Sequence, residues 1–549
     1  MTEPTADLYY PLGLGMLPDG WSSTFVGDAI FDIQPGFASG VHNQEGVGVA
    51  HLRPMNIDRA GRILLAVVKY VPAHSGTVRV RRGDVLFNNT NSPELVGKTA
   101  SIDRDADWAF SNHMTRLRPP DGILPKFLSY QLHFLWMSGY FLNRCTKHVN
   151  QASIAWETLT ETVPLIVAPQ AEQQRIVAEI EKHVTRLDAS VAALERAQAN
   201  LKRYRAAVLR AAWEGRLVAT EAELARAEGR DYEPSDRLLD RILKERRAKW
   251  EADELAKMRA AGKEPKDDKW KAKYGEPLAP DTSGLPELRE GWTWISFDHA
   301  ICKGPQNGLY KPASAYGDGM PILRIEDYQD GFVRPRDELR RLDVNEDEAW
   351  TYGLNPDDLV INRVNSPSHL GKSLVVPSAL CPAVFESNMM RMVVAKDIAP
   401  RWILLYIRSR SGRTRLTAGA KWAVNQASIN QTDVRVTPLP LPPLAEQGRI
   451  VAEVERRLSV VEELETSLDH CVKRAERLRQ SVLKRAFEGK LVPQNPNDEP
   501  ASVLLERIRA GRAAQAHARN SRLARPASRK RRMRGTPAPL AEHQTGAAE

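Results

Sequence analysis

Two stretches of the chain share one apolar rhythm. In the first, apolar residues fall at Val177, Ile180, Val184, Leu187, Val191, Leu194, Leu201 and Val208, in alternating steps of three and four, with Gln198 and Arg205 as polar interruptions. In the second they fall at Val451, Val454, Leu458, Val461, Leu468, Val472 and Val482, interrupted by Glu465 and Arg479. No proline or glycine follows either starting valine until Gly215 or Gly489. Such a rhythm predicts helices of roughly 40 residues, about 60 Å long, each with a narrow seam that requires a partner helix. Equal lengths make the two helices each other's partner in a coiled coil.

Elsewhere the pattern changes period. Short β-branched runs such as RILLAVVKYV, GDVLFNN and DDLVINR are bounded by Gly, Asp and Asn, while LPKFLSYQLHFLWMSGYFL and APRWILLYIRS read as helices. The regions before the long helices are therefore mixed α/β. They are also related to each other. PLIVAPQAEQQRIVAEIE (residues 164–181) lies over PLPLPPLAEQGRIVAEVE (438–455), and the match runs without a gap to Val218 and Val492, with 22 identities in 55 positions. NSPELVGKT (91–99) recurs as NSPSHLGKS (365–373) at the same offset of 274, and NQASI recurs at 150 and 425. LPDGW and LPELREGW open the two copies, and EPSDRLLDRI echoes EPASVLLERI. An internal repeat of this kind sets the architecture before any motif is considered. The expected order is a first α/β module (1–163), a long helix (164–218), a charged helical spacer and linker (219–284), a second α/β module (285–437), a second long helix (438–492), and a short helix followed by a disordered Arg-rich tail (493–549).

Charge changes this picture less than its total implies. The 549 residues carry a net charge of +9, but residues 507–549 hold 11 Lys and Arg against two acids, which leaves residues 1–506 with 67 of each sign. If the body binds DNA, it must do so through local patches on a neutral average. The four cysteines are scattered singly, which argues against a disulfide framework or structural zinc. The absence of a long apolar run predicts a cytoplasmic protein.

The Gly97-Lys98-Thr99 and Gly371-Lys372-Ser373 triplets imitate a phosphate-binding loop. That loop needs a first glycine where this chain has Ser92 and Ser366, and the following Pro93 and Pro367 each remove an N–H donor. A nucleotide-binding enzyme is thereby disfavoured. The Pro-Pro pairs have the wrong neighbours for an adenine methyltransferase motif, the Asp clusters sit in loop-like settings, and His113 and His148 are isolated. No catalytic constellation and no metal site is expected.

Binding remains. Residues common to both copies, Asn88/Asn362, Asn91/Asn365, Ser92/Ser366, Pro93/Pro367, Gly97/Gly371, Lys98/Lys372 and Asn150-Gln151/Asn425-Gln426, are assigned to scaffold or phosphate contacts, since shared residues do not distinguish two half-sites. Candidates for DNA contact are Arg79, Arg81, Arg82, Asn89 and Lys98 in the first module, and Arg334, Arg336, Arg340, Arg341, Arg363 and Lys372 in the second. A basic stretch at 401–421, with Arg401, Arg408, Arg410, Arg413, Arg415 and Lys421 and no acid, is the strongest phosphate patch of the body.

Taken together, these phrases resemble the specificity subunits of type I restriction-modification systems, the HsdS family. The resemblance rests on the paired regions ending in NQASI, the AEQxRIV phrase, FNNTNSPELVGK, WEGRLV and FEGKLV, and the charged spacer leading into DTSGLPELREGW. It implies a noncatalytic subunit whose two target-recognition domains bind the halves of a split double-stranded DNA sequence. It further implies that the helices form an antiparallel coiled coil that sets the spacing and docks two modification subunits, which bring S-adenosylmethionine, and through them restriction subunits that bring ATP and Mg. The rival expectation, a coiled-coil scaffold without DNA recognition, is disfavoured by two modules that are duplicated yet divergent.

Overall fold

The computed structural model describes residues 17–73, 78–149, 151–265, 267–329, 332–424 and 426–523. The chain divides into two compact units, Met1–Ala192 with Cys471–Glu549, and Ala193–His470. Each unit therefore takes one recognition domain, part of its own long helix and part of the other copy's.

In the first unit the fully buried run VLFN forms a central strand, Val85–Asn88. It lies in a four-stranded antiparallel sheet ordered Asp32–Pro35, Met114–Arg118, Val85–Asn88, Thr99–Ser101. The helix Pro125–Met137 starts on a proline, whose missing N–H costs nothing at a first turn. Its Phe127, Leu128, Leu132 and Leu135 share one core with Val85, Phe87 and Leu117. A smaller three-stranded sheet, Lys69–Val71, Val49–Leu52, Ala109–Phe110, encloses a second core around Leu52, Leu86 and Phe110.

The second unit repeats this plan where the sequences no longer align. Its four-stranded sheet is ordered Ile301–Asn307, Met389–Val394, Leu359–Asn362, Ser373–Val375, and its three-stranded sheet Arg341–Leu342, Tyr316–Leu323, Val384–Phe385. In each of these two three-stranded sheets the last pairing is parallel. Each unit also closes its ends with a two-stranded pair, Ser22–Phe25 with Pro164–Val167 and Thr293–Ser296 with Pro438–Leu441. The long helices consequently start later than their repeat segments. They run Gln170–Trp213 and Leu444–Phe487, because the apolar phrases before them serve as strands.

The seam residues are the buried or half-buried positions of both helices. In the first unit Val177 and Ile180 pack with Leu483, Ala486 and Phe487, flanked by Val184 and Val482. In the second unit Val208 packs in one core with Val451, Val454 and Leu458. The polar interruptions pair with the facing helix. Arg479 is bonded to Asp188 in the first unit; in the second, Gln198 donates to Asp469 at 2.7 Å and Arg205 to Glu465 at 2.9 Å. Partners climb one helix as they descend the other, so the pairing is antiparallel, and each interruption satisfies a polar group that an apolar seam would leave unpaired.

The repeated phrases around the helices have equally local reasons. The Trp21 indole donates to Glu172 at 2.9 Å and Trp292 to Glu446 at 3.0 Å, which explains LPDGW, REGW and the Glu of AEQ together. The neighbouring Gln173 accepts from the Leu124 N–H, and Gln447 from that of Ala399, tying each helix start to the helix beneath it. The helix Ala501–Leu523 puts Ala501, Leu504 and Ile508 into the first unit's core, as Ser235–Ala260 puts Leu238 and Ile242 into the second's. At 23 residues it is longer than the short helix expected. The Arg-rich tail beyond it lies outside the described residues. Among the described residues no helix is long and apolar enough to cross a membrane.

Candidate nucleic-acid interface

The two Gly-Lys-Ser/Thr loops use their own hydrogen-bonding groups internally. In the first, the N–H groups of Leu95 and Val96 donate to the Ser92 carbonyl, that of Gly97 to Asn88 and that of Lys98 to Leu95. In the second, His369, Leu370, Gly371 and Lys372 make the same four bonds. A phosphate cradle requires such amides to point at the ligand, and here they do not. The triplet has a structural meaning instead. Gly97 and Gly371 adopt positive φ (95° and 72°), and the next-but-one hydroxyl, of Thr99 or Ser373, caps the glycine carbonyl at 3.0 or 2.9 Å.

Lys98 and Lys372, assigned from the repeat to scaffold or phosphate contacts, are buried. Lys98 donates to the Ile57 carbonyl and Lys372 to that of Ile325, and burial pushes the Lys98 ammonium below its ordinary pKa. Both lysines thereby hold a loop of their own module through a backbone carbonyl. We expect Lys98→Ala to lower the first module's stability by about 2 kcal/mol, from a lost charged hydrogen bond and lost packing. The salt slope of DNA binding, measured by fluorescence anisotropy, should not change; a phosphate contact would lower it by about 0.9.

Beside each loop lies a turn that the sequence motifs do not reveal. Residues 111–114 (SNHM) and 386–389 (ESNM) are held by the same set of backbone bonds. Ser111 and Glu386 donate to Leu52 and Leu323, Asn112 and Ser387 to Phe37 and Leu309, and Met114 and Met389 close each turn onto Ser111 and Glu386. The carbonyls of His113 and Asn388 accept from Asn89 and Arg363. The backbone is thus duplicated while its side chains differ.

In the first module this turn borders a cavity of about 570 Å³ lined by His42, His51, Arg53, Asn91, Lys98, Asn112 and His113 among others, with no carboxylate in the lining. Arg53 donates to His42 at 2.9 Å. Burial, then the charges of Arg53 and Lys69, lower the His42 pKa, which favours the neutral ring that accepts this bond. In the second module Arg324, at the equivalent place after its strand, is paired instead with Glu326 at 2.8 Å and Glu386 at 3.4 Å. Asn89 is half-buried and Arg363 donates to the Ser387 carbonyl at 3.2 Å.

The remaining candidates are scattered. Arg79 is tied to Asp107 and the Ala73 carbonyl, and the exposed Arg81 and Arg82 lie before Val85–Asn88, at the other end of the strand from Asn89. Arg334 pairs with Asp327, Arg336 donates to the Pro382 carbonyl, Arg341 to that of Gly319, and Arg340 is exposed. The 401–421 stretch does not form one basic patch. Arg401 pairs with Glu455, Arg408 is half-buried, Arg413 donates to the Leu370 carbonyl, and Arg415 lies over the rings of Trp213 and Trp294, leaving Arg410 and Lys421 exposed. Helix packing and loop capping use these guanidiniums, an outcome invisible to a count of charges.

Asn91 and Asn365 each accept from the following serine N–H, and Asn88 and Asn362 are fully buried, so the shared asparagines shape their loops. Gln151 and Gln426 are exposed at hairpin tips, beside the nearly fully exposed Val149 and Val424; Asn150 and Asn425 lie outside the described residues. Among the described residues no group of three or more His, Cys, Asp or Glu is placed to hold a metal ion.

No model of a known protein family matches the chain. It is similar to the EcoKI specificity subunit of Escherichia coli K12, a type I restriction enzyme component, at 26% identity over 80% of this chain and 82% of that protein. The EcoBI specificity subunit of Escherichia coli is 25% identical over 70% and 72% respectively. The fold of this chain matches a chain from a type I R-M system solved for complex assembly and conformational transition, with a TM-score of 0.58 and 18% identity over 87% of this chain and all of that one. The relatives are those that the repeated motifs indicate: the chain resembles the HsdS specificity subunits along most of its length.

Proposed function

We propose that this HsdS-like chain is the DNA-specificity subunit of a type I restriction-modification complex, acting by recognition and not by catalysis. Each module binds one half of a split double-stranded target, and the paired helices set the interval between the halves and dock two modification subunits. Those subunits hold S-adenosylmethionine; restriction subunits joined through them hold ATP and Mg. One observation carries this reading: a single backbone frame is built twice, with its side chains diverging at matched positions beside the shared loop. Two readers of different sequences need that combination, whereas a passive coiled-coil scaffold does not.

With acid and base balanced over residues 1–506, the chain alone should bind DNA weakly, and tighter, salt-sensitive binding should follow when modification subunits wrap the duplex. A gel-shift titration with and without the modification subunit tests this. Equal specific affinity in both cases would contradict it.

A further inference from the structure

We propose that the first module's cavity is where base edges of its half-site are read, and that Arg53, Asn112 and His113 are the specificity-determining side chains. The proposal rests on the DNA-reading function above and adds which residues of that module carry it.

Three observations converge on this place. First, the turn bearing Asn112 and His113 is fixed by backbone bonds that recur one for one at Ser387 and Asn388, so its geometry is independent of the side chains it displays. A frame that holds position while its side chains change is what two modules need to read different bases. Second, the cavity combines a guanidinium, a carboxamide and imidazoles with no carboxylate in its lining. A guanidinium fork matches the guanine O6/N7 edge, a carboxamide matches adenine N6/N7, and an imidazole donates or accepts according to its tautomer. An acid-free lining also leaves the adjoining phosphates unopposed.

Third, Arg53 is oriented and not neutralised. Its bond to the His42 ring fixes the guanidinium against the wall while its charge persists. The ring beneath, His51, is only 1% exposed and lies 5.4 Å from that of His42, so the wall is packed. In the second module the corresponding Arg324 is neutralised by two glutamates, and Arg363 replaces Asn89 next to the turn. The same site in the fold therefore presents a different set of donors and acceptors in each copy.

The test uses the full chain co-produced with its host's modification subunit, with methylated sites mapped at single-molecule resolution. Arg53→Ala and the Asn112→Ala/His113→Ala double variant should each make at least one base of a single half-site degenerate, with discrimination there falling about tenfold or more. The other half, the melting temperature and co-purification with the modification subunit should be unchanged. The mirror variant Asn388→Ala should act on the opposite half alone. An unaltered motif at wild-type efficiency would overturn the proposal and leave the subunit's function standing. Loss of co-purification would also overturn it, by making the cavity a protein-docking surface. A wild-type complex with no sequence-specific methylation would overturn the function itself.

Discussion

Gly97→Ala is expected to destabilise the first module strongly, whereas Gly371→Ala at the matching position should weaken the second much less. At Gly97 the backbone has φ of 95°, and an added Cβ would lie 2.3 Å from the Phe141 ring. That ring is fully buried and packs edge-on against Phe87, with centroids 5.1 Å apart. A positive φ costs an L-residue about 1–2 kcal/mol, and forcing a packed ring aside about 1–3 kcal/mol more. At Gly371 φ is 72°, and the nearest atoms are ends of the Leu416 and Arg413 side chains at 3.1 and 3.2 Å, which need give by only tenths of an ångström. There the expected cost is about 1–2 kcal/mol, mostly conformational. Urea unfolding followed by hydrogen exchange in peptides of each module would separate the two effects. Equal, small losses would show that Phe141 is free to move.

Acid should loosen the first module before the second. His51 and His133 are both buried there, and burial lowers the pKa of each to about 4. The His133 ring keeps one bond, to the Arg59 carbonyl at 3.2 Å. In the unfolded chain both rings titrate near 6.5 and bind protons first. Their contribution is therefore complete above pH 6.5 and is lost as pH falls toward 4, by about 3 kcal/mol apiece. Glu172 opposes this in the same unit, since burial raises its pKa and protonation relieves a desolvation penalty as pH falls. Among the described residues the second unit has three such carboxyls, Asp327, Asp358 and Glu446, each raised chiefly by burial, against one lowered histidine, His299. Limited proteolysis with peptide mapping between pH 7 and 4.5 should find cuts in the first module at the higher pH. Simultaneous cutting of both modules would refute this assignment.

The long helices and their seam were legible because heptad spacing is a local pattern that tertiary packing only completes. Even the interruptions Gln198, Arg205, Glu465 and Arg479 marked true seam positions, each meeting a polar partner across the pair. The repeat was legible for the same reason, and its phrases prove to be single interactions: Trp21 with Glu172, Gln173 with Leu124, Thr99 with the Gly97 carbonyl.

The candidate interface was much less legible. Basic residues drew attention by composition, yet the side chains of Lys98, Lys372 and Arg413 are used by carbonyls, and that of Arg415 by aromatic rings, all supplied by residues remote in sequence. Conversely, Arg53, Asn112 and His113 belong to no motif, and only the pairing of Val49–Leu52 with Ala109–Phe110 brings them to one cavity. Motif repetition marks the frame, and the diverging residues beside it become visible once the frame is folded. A comparison of the two copies at residues 111–113 and 386–388 would have found the signal, had the parallel strand pairing been known.

The most direct test of modular recognition exchanges residues 17–163 for the corresponding region of another specificity subunit and maps methylation by the resulting complex. One half of the methylated sequence should change while the other half and the interval between them are retained. A change in both halves, or methylation at the original sequence, would contradict recognition by two independent modules.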